Sequence, residues 1–172
     1  GVNSKLNNTT VDAITINKIL ANLKKKKIEN VILEASSHGL EQKRLHGINF
    51  NTSIFTNLSR DHLDYHKNFK NYLNSKLILF KKLTKKKGNL IFDNDIKFSK
   101  ILKKIGKDKN LNLLNIGTKK CDFKLISIKN QNNLQLVTFL YKNKIFQFKT
   151  QLIGEIQIKN LLMAVAAAVK SN

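Results

Sequence analysis

Apolar residues recur along this chain in two rhythms, and the change between them separates its first two thirds from its last third. From about Val11 to Lys26 the spacing is helical, with Thr9 or Thr10 as N-cap and Asp12 in the first turn, where a carboxylate suits the helix dipole. Two short apolar runs follow, Val31-Ile-Leu33 and Ser53-Ile-Phe-Thr56, bounded by polar residues and glycine, and each predicts a buried strand. A second helix is predicted from about Asn68 to Lys85, then a strand at Asn89–Phe92, a helix at Ile96–Ile105 and a strand at Leu113–Ile116. Over residues 122–153 the rhythm becomes alternation. Phe123–Ile128, Leu134–Leu140 and Lys144–Lys149, joined by Asn/Lys turns, predict an antiparallel meander. Gly154 then opens a last apolar helix, Ile156–Val169, with Leu161, Leu162, Val165, Ala166 and Val169 at core spacing. The expected fold is α/β in one domain, with a small antiparallel appendage.

One residue breaks the pattern of the second helix. With Phe69 set to zero, its apolar stripe spans about 280° to 80°, and Lys76 falls near 340°, inside the stripe. Lys70, Lys81, Lys82 and Lys85 keep to the polar face. A lysine among apolar neighbours either snorkels at an edge or is held by partners. Burial lowers an ammonium pKa, and a neutral amine can take up CO2 as a carbamate, which turns a cation into a carboxylate-like metal ligand.

The two predicted early strands lead into loops rich in chemistry, Glu34-Ala-Ser-Ser-His-Gly39 and Asn57-Leu-Ser-Arg-Asp-His-Leu-Asp64. Ligands of open α/β sheets bind outside the carboxyl ends of strands, so these loops form the candidate site. The nucleophile elbow G-x-S-x-G is absent, which argues against a serine hydrolase. Asp61, His62, Asp64 and His66 offer four metal-binding groups, but not as H-E-x-x-H. Carboxylate and imidazole without thiolate suit Mg2+ or Mn2+.

Charge changes this picture little. The 172 residues carry a formal +21, yet thirty of the 32 basic residues are lysine, spread along the whole chain beside abundant Asn and Ile, with no Pro. Nucleic-acid sites lean on Arg and interleaved aromatics. No specific nucleic-acid partner is therefore expected, and no membrane partner, since no apolar run reaches the length of a span. The lone Cys121 fits a reduced, cytoplasmic protein.

Taken in order, Glu34-Ala-Ser-Ser-His-Gly-Leu40 with Gln42 and Arg44, Asn57-Leu-Ser-Arg-Asp-His-Leu-Asp-Tyr-His66, and Ser75-Lys76 ahead of Phe80 resemble the Mur ligase family. The resemblance is to its central, P-loop-type ATPase domain, and Asn8-Thr9-Thr10 matches that family's substrate motif. It implies a mostly parallel sheet flanked by helices and a monomer. It also implies an ATP-dependent amide ligase that adds the third amino acid to UDP-N-acetylmuramoyl-L-alanyl-D-glutamate in peptidoglycan synthesis. ATP would convert the D-glutamyl γ-carboxylate into an acyl phosphate, which the amine of meso-diaminopimelate or L-lysine attacks. Such phosphoryl transfer rests on positioning and charge stabilisation, hence the need for Mg2+. By resemblance Glu34, His62 and a carbamylated Lys76 would be catalytic and hold the metal. Asn8, Thr9, Thr10, Ser36, Gln42 and Arg44 would hold the substrate, and Asn160 would lie near the adenine.

Three departures qualify the match. The phosphate-binding loop expected before residue 1 and the C-terminal domain are not in the sequence, so the isolated chain is expected to be inactive. The family's G-x-F/H-N-x-x-N stretch reads Gly154-Glu-Ile-Gln-Ile-Lys-Asn160, with Ile156 and Gln157 in altered positions. The alternatives are a folylpolyglutamate or cyanophycin synthetase relative and, in another class, a lysine-rich RNA-binding module.

Overall fold

The structure, a computed structural model, describes residues 10–58 and 63–171. It divides into two compact units, Gly1–Phe50 with Leu58–Lys85, and Asn51–Asn57 with Lys86–Asn172.

In the first unit, α1 spans Ala13–Lys25. Its N-cap is Asp12, whose carboxylate accepts from the N–H groups of Ile14 and Thr15, and not Thr9 or Thr10. Thr10 is instead drawn into side-chain bonds elsewhere, while Thr9 lies outside the described residues. The run Val31–Leu33 forms no strand, and Ile32 is 98% exposed. A strand persists only where its backbone groups find ladder partners, and none of the sheet's strands pairs with this segment among the described residues. After it, α2 (Ser37–Glu41) takes up the second half of the predicted loop Glu34–Gly39. Next come α3 (Leu63–His66) and α4 (Phe69–Ile78), the latter capped by Asn68 through the Asn71 N–H. The helix predicted to Lys85 changes register early: Leu79–Leu83 make a π turn. Thr84 closes it by giving both its N–H and its hydroxyl to the Leu79 carbonyl, the hydroxyl at 3.0 Å.

The second unit holds the sheet, six strands in the order of the chain: β1 (Phe50–Phe55), β2 (Thr84–Asp93), β3 (Asn112–Gly117), β4 (Phe123–Gln131), β5 (Leu134–Tyr141) and β6 (Lys144–Thr150). β2 therefore begins well before the predicted Asn89. The pairs β2–β3 and β3–β4 are parallel, while β4–β5 and β5–β6 are antiparallel. The predicted appendage is thus a continuation of the same sheet. β3 and β4 overlap only at Ile116↔Phe123 and Gly117↔Lys124, which lets a short loop join parallel neighbours that otherwise need a long crossover. Both hairpins turn on residues with positive φ, Asn132-Asn133 and Lys142-Asn143, the conformation two-residue hairpin loops favour.

Helix α5 (Ser99–Asp108) buries Leu102 and Ile105, and α6 (Glu155–Ser171) buries Ile158, Leu162, Met163 and Ala166. These α6 residues pack on Ile91, Leu114, Ile116, Phe123, Leu125, Val137 and Phe139, the core of the unit. Val169, expected in the core, is 42% exposed. No helix among the described residues is long and apolar enough to cross a membrane.

Candidate functional site

In the first unit the polar residues around Thr10 interlock. The Thr10 hydroxyl donates to the Glu34 carbonyl at 3.0 Å, so the Ser36 hydroxyl, 2.9 Å away, donates to Thr10 Oγ1. Thr10 Oγ1 also accepts from the Ser36 N–H, and Ser36 Oγ accepts from the Gly39 N–H as the cap of α2. Gly39 is required here: a Cβ on it would stand 2.7 Å from the Thr10 side chain. Arg44 gives one N–H to the Thr10 carbonyl at 2.7 Å and two others to Gln42 Oε1 at 2.9 and 2.6 Å. Gln42 in turn donates to the Tyr65 hydroxyl at 3.1 Å. Thr10, distant in sequence, therefore forms one knot with Ser36, Gln42 and Arg44. Thr10 is buried with its hydroxyl saturated, while Gln42 is exposed and Arg44 half-buried. Asn8 and Thr9 lie outside the described residues.

Of the expected metal ligands, Glu34 has an exposed side chain beyond its tethered carbonyl. Lys76 is half-buried on α4, with Nζ 5.5 Å from the centroid of the Tyr72 ring. His62 is outside the described residues, among which no three His, Cys, Asp or Glu side chains are grouped so as to hold a metal ion. A cavity of about 380 Å³ in this unit is lined by Leu40, Glu41, Leu45, Ile78 and Leu83 among others, and by none of Ser36, Gln42, Arg44 or Lys76.

The second unit holds a site that the sequence reading missed. Lys159 is buried on α6, with Nζ 3.1 Å from Asp93, 2.8 Å from Asp95 and 2.9 Å from Glu155. Asp93 ends β2, and Asp95 follows it, accepting from the Thr118 N–H and hydroxyl just past β3. Gly117 admits this approach, since a Cβ there would lie 3.0 Å from Asp95 Oδ1. Burial works against the charge on Lys159, but hydrogen bonds to Asp95, Glu155 and Asp93 outweigh it and hold its pKa well above the ordinary value. Burial likewise tends to raise the Asp95 pKa, and the bonds from Lys159 and Thr118 reverse this, leaving it below the ordinary carboxylate value. Burial, with Asp95 and Asp122 adding to it, pushes the Cys121 thiol up to about 11, which disfavours the thiolate. The signal for Lys159 was available: Leu162, Met163 and Ala166 follow it at i+3, i+4 and i+7, the spacing that singles out Lys76. Next to it, Asn160 presents a side-chain Oδ1 that is shielded from water and accepts no hydrogen bond among the described residues. Such an orphan is costly, and an amino group on a ligand would satisfy it.

A family profile described as Mur ligase middle domain matches residues 1–168. The UDP-N-acetylmuramoyl-L-alanyl-D-glutamate–2,6-diaminopimelate ligase of Rickettsia conorii is 38% identical over 157 residues, covering 91% of this chain and 33% of that protein. The enzyme of the same name from Chelativorans sp. is 31% identical, covering 95% and 34%. The chain thus spans about a third of the length of these curated relatives. A solved structure of a UDP-N-acetylmuramoyl-L-alanyl-D-glutamate–2,6-diaminopimelate ligase superposes with TM-score 0.83 at 26% identity, over 94% of this chain and 33% of that one. A variant of L. casei FPGS superposes at 0.62 with 12% identity, over 92% and 44%, a likeness of fold alone.

Proposed function

The chain belongs to the Mur ligase middle-domain family, and we propose that it is the ATP-binding part of an amide ligase acting on UDP-N-acetylmuramoyl-L-alanyl-D-glutamate. The relatives' names support 2,6-diaminopimelate as the amine added. In this reading the D-glutamyl γ-carboxylate oxygen forms a bond to the γ-phosphorus of ATP as the bond to ADP breaks. The amine nitrogen then attacks the acyl carbon, loses a proton and expels phosphate.

The knot of Thr10, Ser36, Gln42 and Arg44 is the observation that carries this reading. Arg44 is oriented by its bonds to the Thr10 carbonyl and Gln42, and its remaining N–H groups are the donors we assign to an anionic group of the substrate. The saturated Thr10 hydroxyl shapes the α2 entry and is not a free substrate donor, whereas Gln42 is exposed and able to reach a ligand. In the other unit, the orphaned Oδ1 of Asn160 fits the exocyclic amine of adenine.

The donor chemistry of Glu34, His62 and Lys76 fits a hard divalent cation once Lys76 carries a carbamate. We assign these three as its ligands. Bound there, Mg2+ would offset the charge on the phosphoryl oxygens during transfer. The carbamate arises as the neutral Lys76 amine adds to CO2 and loses its proton.

The full-length protein should convert UDP-N-acetylmuramoyl-L-alanyl-D-glutamate, ATP and diaminopimelate into tripeptide, ADP and phosphate, with L-lysine and a folate–glutamate pair as competing arms. The 172-residue chain alone should give no product. Full-length protein that makes only folylpolyglutamate, or no amide at all, would overturn the reading.

A further inference from the structure

His66, one of the four metal-capable groups in its run, takes no part in the roles assigned so far. Its side chain is fully buried. Nε2 lies 2.9 Å from Ser37 Oγ and Nδ1 lies 3.1 Å from Glu41 Oε2. The Ser75 hydroxyl comes within 3.4 Å of the same Glu41 oxygen and 3.5 Å of Nδ1, and is anchored on the Asn71 carbonyl at 3.0 Å. The ring stacks on Tyr72 with centroids 5.1 Å apart and meets the edge of Tyr65 at 4.8 Å. The carboxylate fixes the proton on Nδ1, so Nε2 accepts from the Ser37 hydroxyl.

Ser37, His66 and Glu41 repeat the order of a hydrolytic triad. Ser37, however, is only 3% exposed and sits inside the first turn of α2, where its Oγ meets no substrate. What the node does is tie elements together. Ser37 and Glu41 are the two ends of α2, His66 ends α3, and Ser75 lies in α4. On one side of it, α2 is capped by Ser36 and followed by Gln42 and Arg44. On the other, Ser75 directly precedes Lys76.

We propose that His66 is a positioning residue, which through Glu41, Ser37 and Ser75 fixes the spacing between the substrate knot and Lys76. This rests on the ligase reading. Misplacing a bound substrate by about an ångström costs on the order of a hundredfold in rate, so loss of the node should appear in kinetics as well as in folding.

The test uses the full-length protein with the muramyl dipeptide, ATP and diaminopimelate. His66→Phe keeps the ring and removes both hydrogen bonds; it should lower kcat/KM for the muramyl substrate about 100-fold while leaving KM for ATP within about twofold. Should His66→Phe not fold, Glu41 decides, since its side chain is 47% exposed and its truncation removes little buried surface. Glu41→Ala should lower the same kcat/KM about tenfold, and Glu41→Gln, which keeps an oxygen to accept from Nδ1, should recover to within about threefold. Glu41→Ala with wild-type kinetic constants and only a lower Tm would overturn the inference and leave the ligase reading intact. Wild-type protein that forms no amide would sink the ligase reading itself.

Discussion

Two lysines lie on the buried stripes of their helices, one in each compact unit, and their surroundings differ. Lys159 has three carboxylates within 3.1 Å, at and just past the end of β2 and on its own helix. Lys76 lies over the face of Tyr72 at 5.5 Å, half-buried on α4. Three carboxylates in so small a space hold a cation firmly. Burial alone therefore does not make an amine reactive. In the second unit it is offset by charge and yields a structural clamp. In the first, His66 and the Glu41 carboxylate help tie the elements that carry Lys76, and it is there that covalent chemistry on an amine is proposed.

Replacing each lysine tests this contrast most severely. In the full-length protein Lys76→Ala should reduce kcat by at least about 1,000-fold and regain part of it with added acetate or propionate. A similar rescue of Lys159→Ala would break the contrast, because a carboxylate has nothing to replace among Asp93, Asp95 and Glu155. Stability should rank the two in the opposite order. Lys159→Met leaves Asp93 and the partly buried Asp95 without their counter-ion and should cost about 3 kcal/mol in urea unfolding, against a smaller loss for Lys76→Met, whose side chain is only half-buried.

Separate nucleotide and substrate contacts would sharpen it further. Asn160→Ala should raise KM for ATP about tenfold with little effect on the muramyl substrate, and Gln42→Ala should do the reverse, as steady-state kinetics would read. The smallest effect is expected from acid. The Asp95 carboxyl is held below its ordinary value in the folded state, so its stabilising contribution is complete above the unfolded pKa near 4 and is lost as pH falls below it. Thermal unfolding between about pH 6 and pH 3 should show Tm falling at the acid end, with a shallower fall for Asp95→Asn.

Most of the second unit was legible in the sequence. Alternation over 122–153 and the Asn/Lys turns correspond to β4–β6 and their hairpins because side-chain period and turn conformation are local properties. Helix ends were legible only roughly: Asp12 and not a threonine caps α1, since Thr10 has a stronger claim from Glu34 and Ser36. Val31–Leu33 has a strand's composition but no ladder, as composition supplies no neighbours.

The sequence by itself determined the family, the sheet's second half and which residue types could do phosphoryl-transfer chemistry, because these follow from motif order and local periodicity. Only the tertiary structure decided which of those residues meet. It joined Thr10 to Arg44 across the first unit, put His66 between Ser37 and Glu41, and closed three carboxylates around Lys159. Apart from the Lys159–Glu155 pair one helical turn apart, each is a contact between residues distant in sequence or on different elements, favoured by burial and by the cost of unpaired polar groups, and no local pattern encodes it.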